Sequence, residues 1–329
     1  MISFLKRISN GFFKRFAQIF SIFILLDIFD SHSQIWAGSQ IVQLSSLTDG
    51  SFERQLDMPT FQNLEPATPL MEKSLETYAQ LPFDVGERMK FLITYMGAKG
   101  GTAEVNFRTP IRWKNTWAHR ITGEVKSATW YSWIMKIHDG VEGLMDDSAE
   151  LSPLHFYINQ RENNFMQSKI VRFEPETAKI KQISKRKDKP EKNEEFNFVK
   201  GSKDALGALY YFRKRVPVGE GIAKFEIPIF TSEKTWTAIA QLQGQEKKEV
   251  EGIVYDTDVY RLITHFGGLM EQKGDIRIWL TRDSRRLPVY TEASIMFGSI
   301  KVALVEWDQG YADGKRKKLF EPIRAGSHP

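Results

Sequence analysis

The sequence predicts a mainly β protein: an antiparallel barrel-like or strongly curved sheet with one or two short helices. Three observations predict it. From Leu81 onward the chain divides into a dozen or so short runs rich in β-branched and aromatic residues, each closed by Gly, Asn, Pro or a charged turn. Only Asp204–Arg215 carries a clear helical period. The strand–helix alternation that builds a parallel nucleotide-binding sheet is missing.

The elements follow in order. Arg88–Met96 (RMKFLITYM) reads as a strand, Gly97–Gly101 as a turn and Thr102–Phe107 as the return strand of a hairpin. In Trp117–Val125, Trp117, His119, Ile121, Gly123 and Val125 share one face of a third strand. Residues 129–137 (TWYSWIMKI) fit a short helix or an aromatic loop. Strands are expected near 141–146, 154–161, 165–173, 178–184 and 194–199. Asp204 is placed to cap a helix through Arg215, which Pro217 ends. Further strands are expected near 222–230, 235–243, 253–264, 275–281, 287–296 and 300–307.

The first residues point to export. Lys6, Arg7, Lys14 and Arg15 precede the apolar run Phe16–Phe29, and small residues follow. A basic start, an apolar stretch of about 7–15 residues and a small-residue exit describe a signal peptide. Cleavage after Ser33 and cleavage after Ala37 both fit, so residues 1–38 are read as the leader. The alternative is an uncleaved anchor, although a comfortable span needs roughly 20 apolar residues. Residues 39–81, interrupted by Pro59, Pro66 and Pro69, read as a tether with a short helix within 71–80. Residues 82–310 read as a single β-rich domain and 311–329 as a basic tail. The expected location is the periplasm of a Gram-negative-type envelope.

Composition narrows the function. The chain has 329 residues, 41% hydrophobic and 12% aromatic, enough for a substantial core. It has no cysteine, which excludes disulfides, thiolate metal sites and a cysteine nucleophile. Taking away the four Lys/Arg and two Asp of residues 1–38 leaves 42 basic against 39 acidic residues. So balanced a chain is a poor nucleic-acid binder by bulk charge. The basic excess is local, at Lys185–Lys187, Arg213–Arg215 and Lys315–Lys318. Such runs are solvated turns and tails, or contacts for anionic lipid head groups or glycans.

Several stretches resemble a known family. Leu81-Pro82-Phe83-Asp84-Val85-Gly86-Glu87 and Tyr95–Ala103 are similar to the opening strand and first hairpin of the bacterial exported-protein family catalogued as domain of unknown function 3108. Asp204–Arg213 resembles its helical segment, and Trp279–Val289 followed by Gly298-Ser299-Ile300 its late strands. The resemblance spans about 82–307 in the family's order and departs from it in the tether and in the tail after Gly310. It implies the fold and an exported compartment, and it transfers no catalytic residue.

Known chemical motifs fit poorly. Gly97–Thr102 lacks the spacing of a phosphate loop, and Gly219-Glu220-Gly221 lacks the third glycine of a dinucleotide site. None of the six histidines lies three or four residues from another, so no metal site is expected. His138-Asp139 has the composition of a base and its orienting acid, but neighbours on one strand face opposite ways. Asp146, Asp147 and Glu150 form an acidic group that fits a strand end, a calcium site or a glycosidase pair. Arg213, after Tyr210-Tyr211-Phe212, is either a charge on the helix C-terminus or a cation for stacking and forked anion contact.

Trp130, Trp133, Tyr210 and Arg213 are therefore the candidate ligand-binding residues, with no catalytic residue and no cofactor expected. Three functional readings remain. The first is a non-enzymatic envelope binding or carrier protein that holds a lipid or other apolar ligand in a curved-sheet cavity, with the helix as plug or lid. The second is a structural module of the envelope that binds a protein or glycan partner, close to the membrane. The third is a hydrolase using carboxylates such as Asp146 and Asp147.

Overall fold

The computed structural model describes residues 81–114, 116–130, 136–231, 233–264, 276–295, 298–312 and 315–316. The leader, most of the tether, most of the basic tail and Trp133 lie outside them.

Eight strands come first: β1 (Arg88–Tyr95), β2 (Ala98–Trp113), β3 (Thr116–Ser127), β4 (His138–Asp146), β5 (Pro153–Glu162), β6 (Phe165–Glu174), β7 (Lys179–Arg186) and β8 (Lys192–Asn197). The helix α1 (Ala205–Arg215) follows. Six more strands complete the sheet: β9 (Lys224–Thr231), β10 (Lys234–Val250), β11 (Ile253–Thr264), β12 (Ile276–Thr281), β13 (Pro288–Ile295) and β14 (Gly298–Asp308). Tyr311–Ala312 and Lys315–Arg316 pair as a separate ribbon.

All fourteen strands form one antiparallel, strongly curved open sheet. Each strand pairs with its neighbour in sequence, with two exceptions. The first and last strands, β1 and β14, pair with each other, so the chain ends meet inside the sheet. Among the described residues the one interruption is the seam between β8 and β9, where the chain leaves to make α1.

The linker before the helix fills part of that seam. Lys203 N–H donates to Pro228 O and its carbonyl accepts from Phe230 N–H, both at 2.9 Å, which covers the exposed edge of β9. Phe230 on β9 reaches across to Phe196 on β8 and Phe173 on β6, with ring centroids 5.6 and 6.1 Å apart.

Curvature comes from irregularities written into the sequence. In β2 the register shifts between Arg108 and Ile111, which leaves Thr109 and Pro110 outside the ladder. Proline has no N–H to give, so a bulge is where a long strand can carry one. A second shift between Leu242 and Gly244 bends β10, and a third falls between Lys90 and Phe91 in the β1–β14 pair. Each bulge increases local twist and helps the sheet roll.

Alternation sets the interior. Met89, Phe91 and Ile93 on β1, and Ala103, Val105 and Phe107 on β2, are buried between more exposed neighbours. The first hairpin is tighter than expected. Its loop is only Met96-Gly97, both at positive φ (48° and 82°), and Gly100 and Gly101 belong to β2. Gly101 is required for another reason: a Cβ there would lie 2.3 Å from the Lys126 carbonyl on β3.

The helix lies inside the curve and is apolar on two sides. Leu206 and Tyr210 join the main core with Phe83 and Phe107, while Ala208, Phe212 and Val216 form a second core with β9–β12. A helix buried on both sides carries no single hydrophobic stripe. Only Tyr211, Lys214 and Arg215 keep substantial exposure.

Candidate functional site: the helix and the pocket beneath it

Both ends of α1 are pinned. Asp204 caps the N-terminus, accepting from Gly207 N–H at 2.8 Å. The cap is fully enclosed, and burial pushes its carboxyl up to about 6, against the pull of the helix N–H groups. On the outer side Tyr211 Oη donates to Glu150 at 2.6 Å, and Lys214 Nζ donates to the Ala149 carbonyl at 2.8 Å. These bonds latch the β4–β5 turn onto the helix.

The C-terminal end is held by Arg213. Its guanidinium makes two parallel bonds to Glu87, each 2.7 Å. It also donates to the carbonyls of Arg285 and Arg286, both at 3.1 Å. The Phe83 and Tyr210 rings lie 5.2 Å from its centre. Glu87 additionally accepts from the Trp307 indole at 3.2 Å. The group therefore joins α1, the start of β1, the β12–β13 turn and β14.

This location decides what Arg213 and Tyr210 can do. Both are 0% exposed, so the expected forked contact exists, but its carboxylate comes from the protein itself. Burial, and then the Glu87 charge, push the Tyr210 hydroxyl well above its ordinary range. Trp130 is 51% exposed on the β3–β4 connection, and the structure does not bring it to Tyr210 or Arg213.

The acidic group is dispersed among local roles. Asp146 Oδ1 accepts from Ser148 N–H, Ser148 Oγ and Ser152 N–H, closing its own turn. Asp147 lies 3.1 Å from His119 Nε2. His138 and Asp139 face opposite ways: His138 meets Glu124 at 2.7 Å near the surface, and Asp139 is buried.

Between α1 and strands β9–β12 lies a pocket of about 80 Å³ lined by eleven residues, all apolar. Ala208, Leu209 and Phe212 form its helix wall, and Phe225, Ala238 and Ala240 face them from β9 and β10. Small side chains on β10 opposite a helix alanine create the space. The spacing of Ala238 and Ala240 is visible in the sequence, but their position opposite Ala208 depends on where the helix docks. An interior volume of this size holds the end of an alkyl chain and falls short of the roughly 150 Å³ of a benzene-binding cavity.

Solved structures similar to this chain come from several bacteria. One is a β-barrel-like protein of domain of unknown function DUF1849 from Brucella abortus, 8% identical, covering 69% of this chain and 98% of its own, with a TM-score of 0.43. Another, from Bacteroides fragilis, is named as a candidate exported protein with a YmcC-like fold; it is 7% identical, covers 69% and 97%, and scores 0.31. A third, from Parabacteroides distasonis, is named as a candidate lipoprotein; it is 8% identical, covers 69% and 97%, and scores 0.29. No curated protein is significantly similar to the chain. The family model described as protein of unknown function DUF3108 matches residues 90–305, and the chain belongs to that family.

Proposed function

We propose that this protein is a non-enzymatic binding or carrier protein of the cell envelope that holds an apolar ligand, such as a lipid acyl chain, between α1 and β9–β12. The observation that carries the reading is the pocket wall: eleven apolar residues lining a half-open space of about 80 Å³, with no polar side chain among them. Apolar walls without polar groups favour alkyl surface and offer nothing to orient a reacting centre. The exported leader read from Met1–Gly38 supports the compartment.

In this reading α1 is a plug rather than a lid. Asp204, Tyr211, Arg213 and Lys214 hold it by contacts at both ends. A whole lipid exceeds the space, so only the tail end is held there.

Titration with an apolar fluorescent probe tests the proposal. The wild-type chain is expected to bind it saturably. Ala238→Leu, which fills the pocket from β10, is expected to weaken binding at least ten-fold while the thermal unfolding transition stays cooperative. Unchanged probe binding in that variant would refute the site.

A further inference from the structure

The inner rows of β5, β6 and β7 change chemistry along their length. At one end they carry Phe156, Ile158, Val171, Phe173 and Ile180, all in the main core. At the other end the same alternating rows carry Gln160 and Glu162 on β5 and Gln167 and Lys169 on β6, while Gln182 on β7 lies opposite Val171, toward the apolar end. Gln160 and Gln167 are direct cross-strand partners, and Lys169 is the next residue inward on β6. Asp139 on β4 borders the group beside Glu162.

These side chains are enclosed. Gln160 is 0% exposed, Gln182 and Asp139 1%, Lys169 3%, Glu162 4% and Gln167 8%. Yet several of their polar atoms have no protein partner: both amide atoms of Gln160 and the amide oxygens of Gln167 and Gln182. Buried polar atoms in folded proteins are nearly always hydrogen-bonded. Gln160 and Gln167, opposite one another but not bonded to one another, present donors and acceptors inward to something else.

We propose that this polar end of the sheet interior is a second binding site, separate from the apolar pocket, and that it takes an uncharged, hydroxyl-rich ligand: a carbohydrate. Gln160 offers both a donor and an acceptor, and Gln167 and Gln182 add an acceptor each, a combination that hydroxyls match. The charge count supports a neutral ligand. Burial and the Glu162 carboxylate hold Asp139 toward its protonated form. The acids Glu162, Glu194 and Glu233 are matched in number by Lys169, Arg186 and Lys192, of which Lys192 pairs with Glu194 at 2.5 Å. Glu233 accepts from the Gln182 amide at 3.4 Å, and Arg186 stacks over Phe165 at 4.7 Å. The β3–β4 connection, which carries half-exposed Trp130, borders the group through the Ile137–Glu162 bridge. That connection and the β5–β6 turn meet where Asn163 N–H donates to Lys136 O and Asn163 Oδ1 accepts from Lys136 N–H.

Calorimetric titration of the full chain with cello-, malto- and chito-oligosaccharides, with inorganic phosphate as charged control, tests this. At least one oligosaccharide is expected to bind, phosphate is not, and Gln160→Leu is expected to weaken binding ten-fold or more. Binding of the apolar probe should be unchanged in Gln160→Leu, and oligosaccharide binding unchanged in Ala238→Leu, so each site fails or stands alone. If Gln160→Leu does not fold, Gln167→Met, at its direct cross-strand partner, serves in its place. No oligosaccharide binding at millimolar concentration, or equal binding by the glutamine variants, overturns the proposal. So does a saturated crystal with only ordered water on these amides.

Discussion

Replacing Arg213 with methionine tests how the helix is held. The substitution keeps most of the side-chain length and removes the charge. Glu87, 1% exposed, then loses both 2.7 Å bonds and, of the contacts described above, keeps only the Trp307 indole at 3.2 Å. Breaking a buried pair by removing one partner costs about 3–5 kcal/mol, because the remaining charge is stranded. The carbonyls of Arg285 and Arg286 also lose donors, but this loss is coupled to the first and does not add to it in full. At about 2–4 °C per kcal/mol for a domain of this size, the melting temperature should fall by about 6–20 °C. Urea unfolding measures the free energy directly. The double variant Glu87→Leu/Arg213→Met removes both charges and should be more stable than Arg213→Met alone, since no uncompensated carboxylate remains. An Arg213→Met protein within about 1 kcal/mol of wild type would refute the reasoning, because it would mean the pair is not desolvated. A double variant less stable than the single one would do the same.

Other expectations concern pH and packing. Asp204 titrates near 6 when folded and near 3.8 when unfolded, so between those values the folded state binds more protons and this group's contribution declines as pH rises. Asp204→Asn keeps the cap acceptor and removes the titration. Its stability relative to wild type should rise from pH 4 to 6 by on the order of 2 kcal/mol, and a flat difference across urea melts would contradict this. His155 has the opposite sign: burial, then Arg172, lowers it to about 4, so stability is lost as pH falls from 6.5 toward 4. His155→Gln should flatten that acid limb in the same melts. Gly101→Ala forces a methyl against the Lys126 carbonyl and should cost about 1–3 kcal/mol or more, read from the same transition.

Much of the fold was legible because its signals are local. Alternation and turn residues located nearly every strand, and Asp204 with Pro217 bracketed the helix. Two strands ran longer than expected for identifiable reasons. Pro110 in β2 reads as a terminator, but a bulge accommodates it. The charged Gln245–Glu249 stretch of β10 lacks apolar alternation, yet pairs with β11 through to the Glu251-Gly252 turn. The site was less legible because it depends on long-range placement. Arg213 shows its aromatic neighbours at helical spacing, but Glu87 lies 126 residues away and no local pattern links the two. The glutamines on β5, β6 and β7 carry no local signal that sets them apart from other polar strand positions. Only the register shows that they share the inward rows with Phe156, Val171 and Ile180.

The central claim is that an alkyl group belongs between α1 and β9–β12. Native mass spectrometry of the protein recovered from its own envelope tests it most directly. The account predicts an adduct of lipid-like mass on the wild type that is absent from Ala238→Leu. A bare polypeptide mass in both, or the same adduct on both, would contradict it.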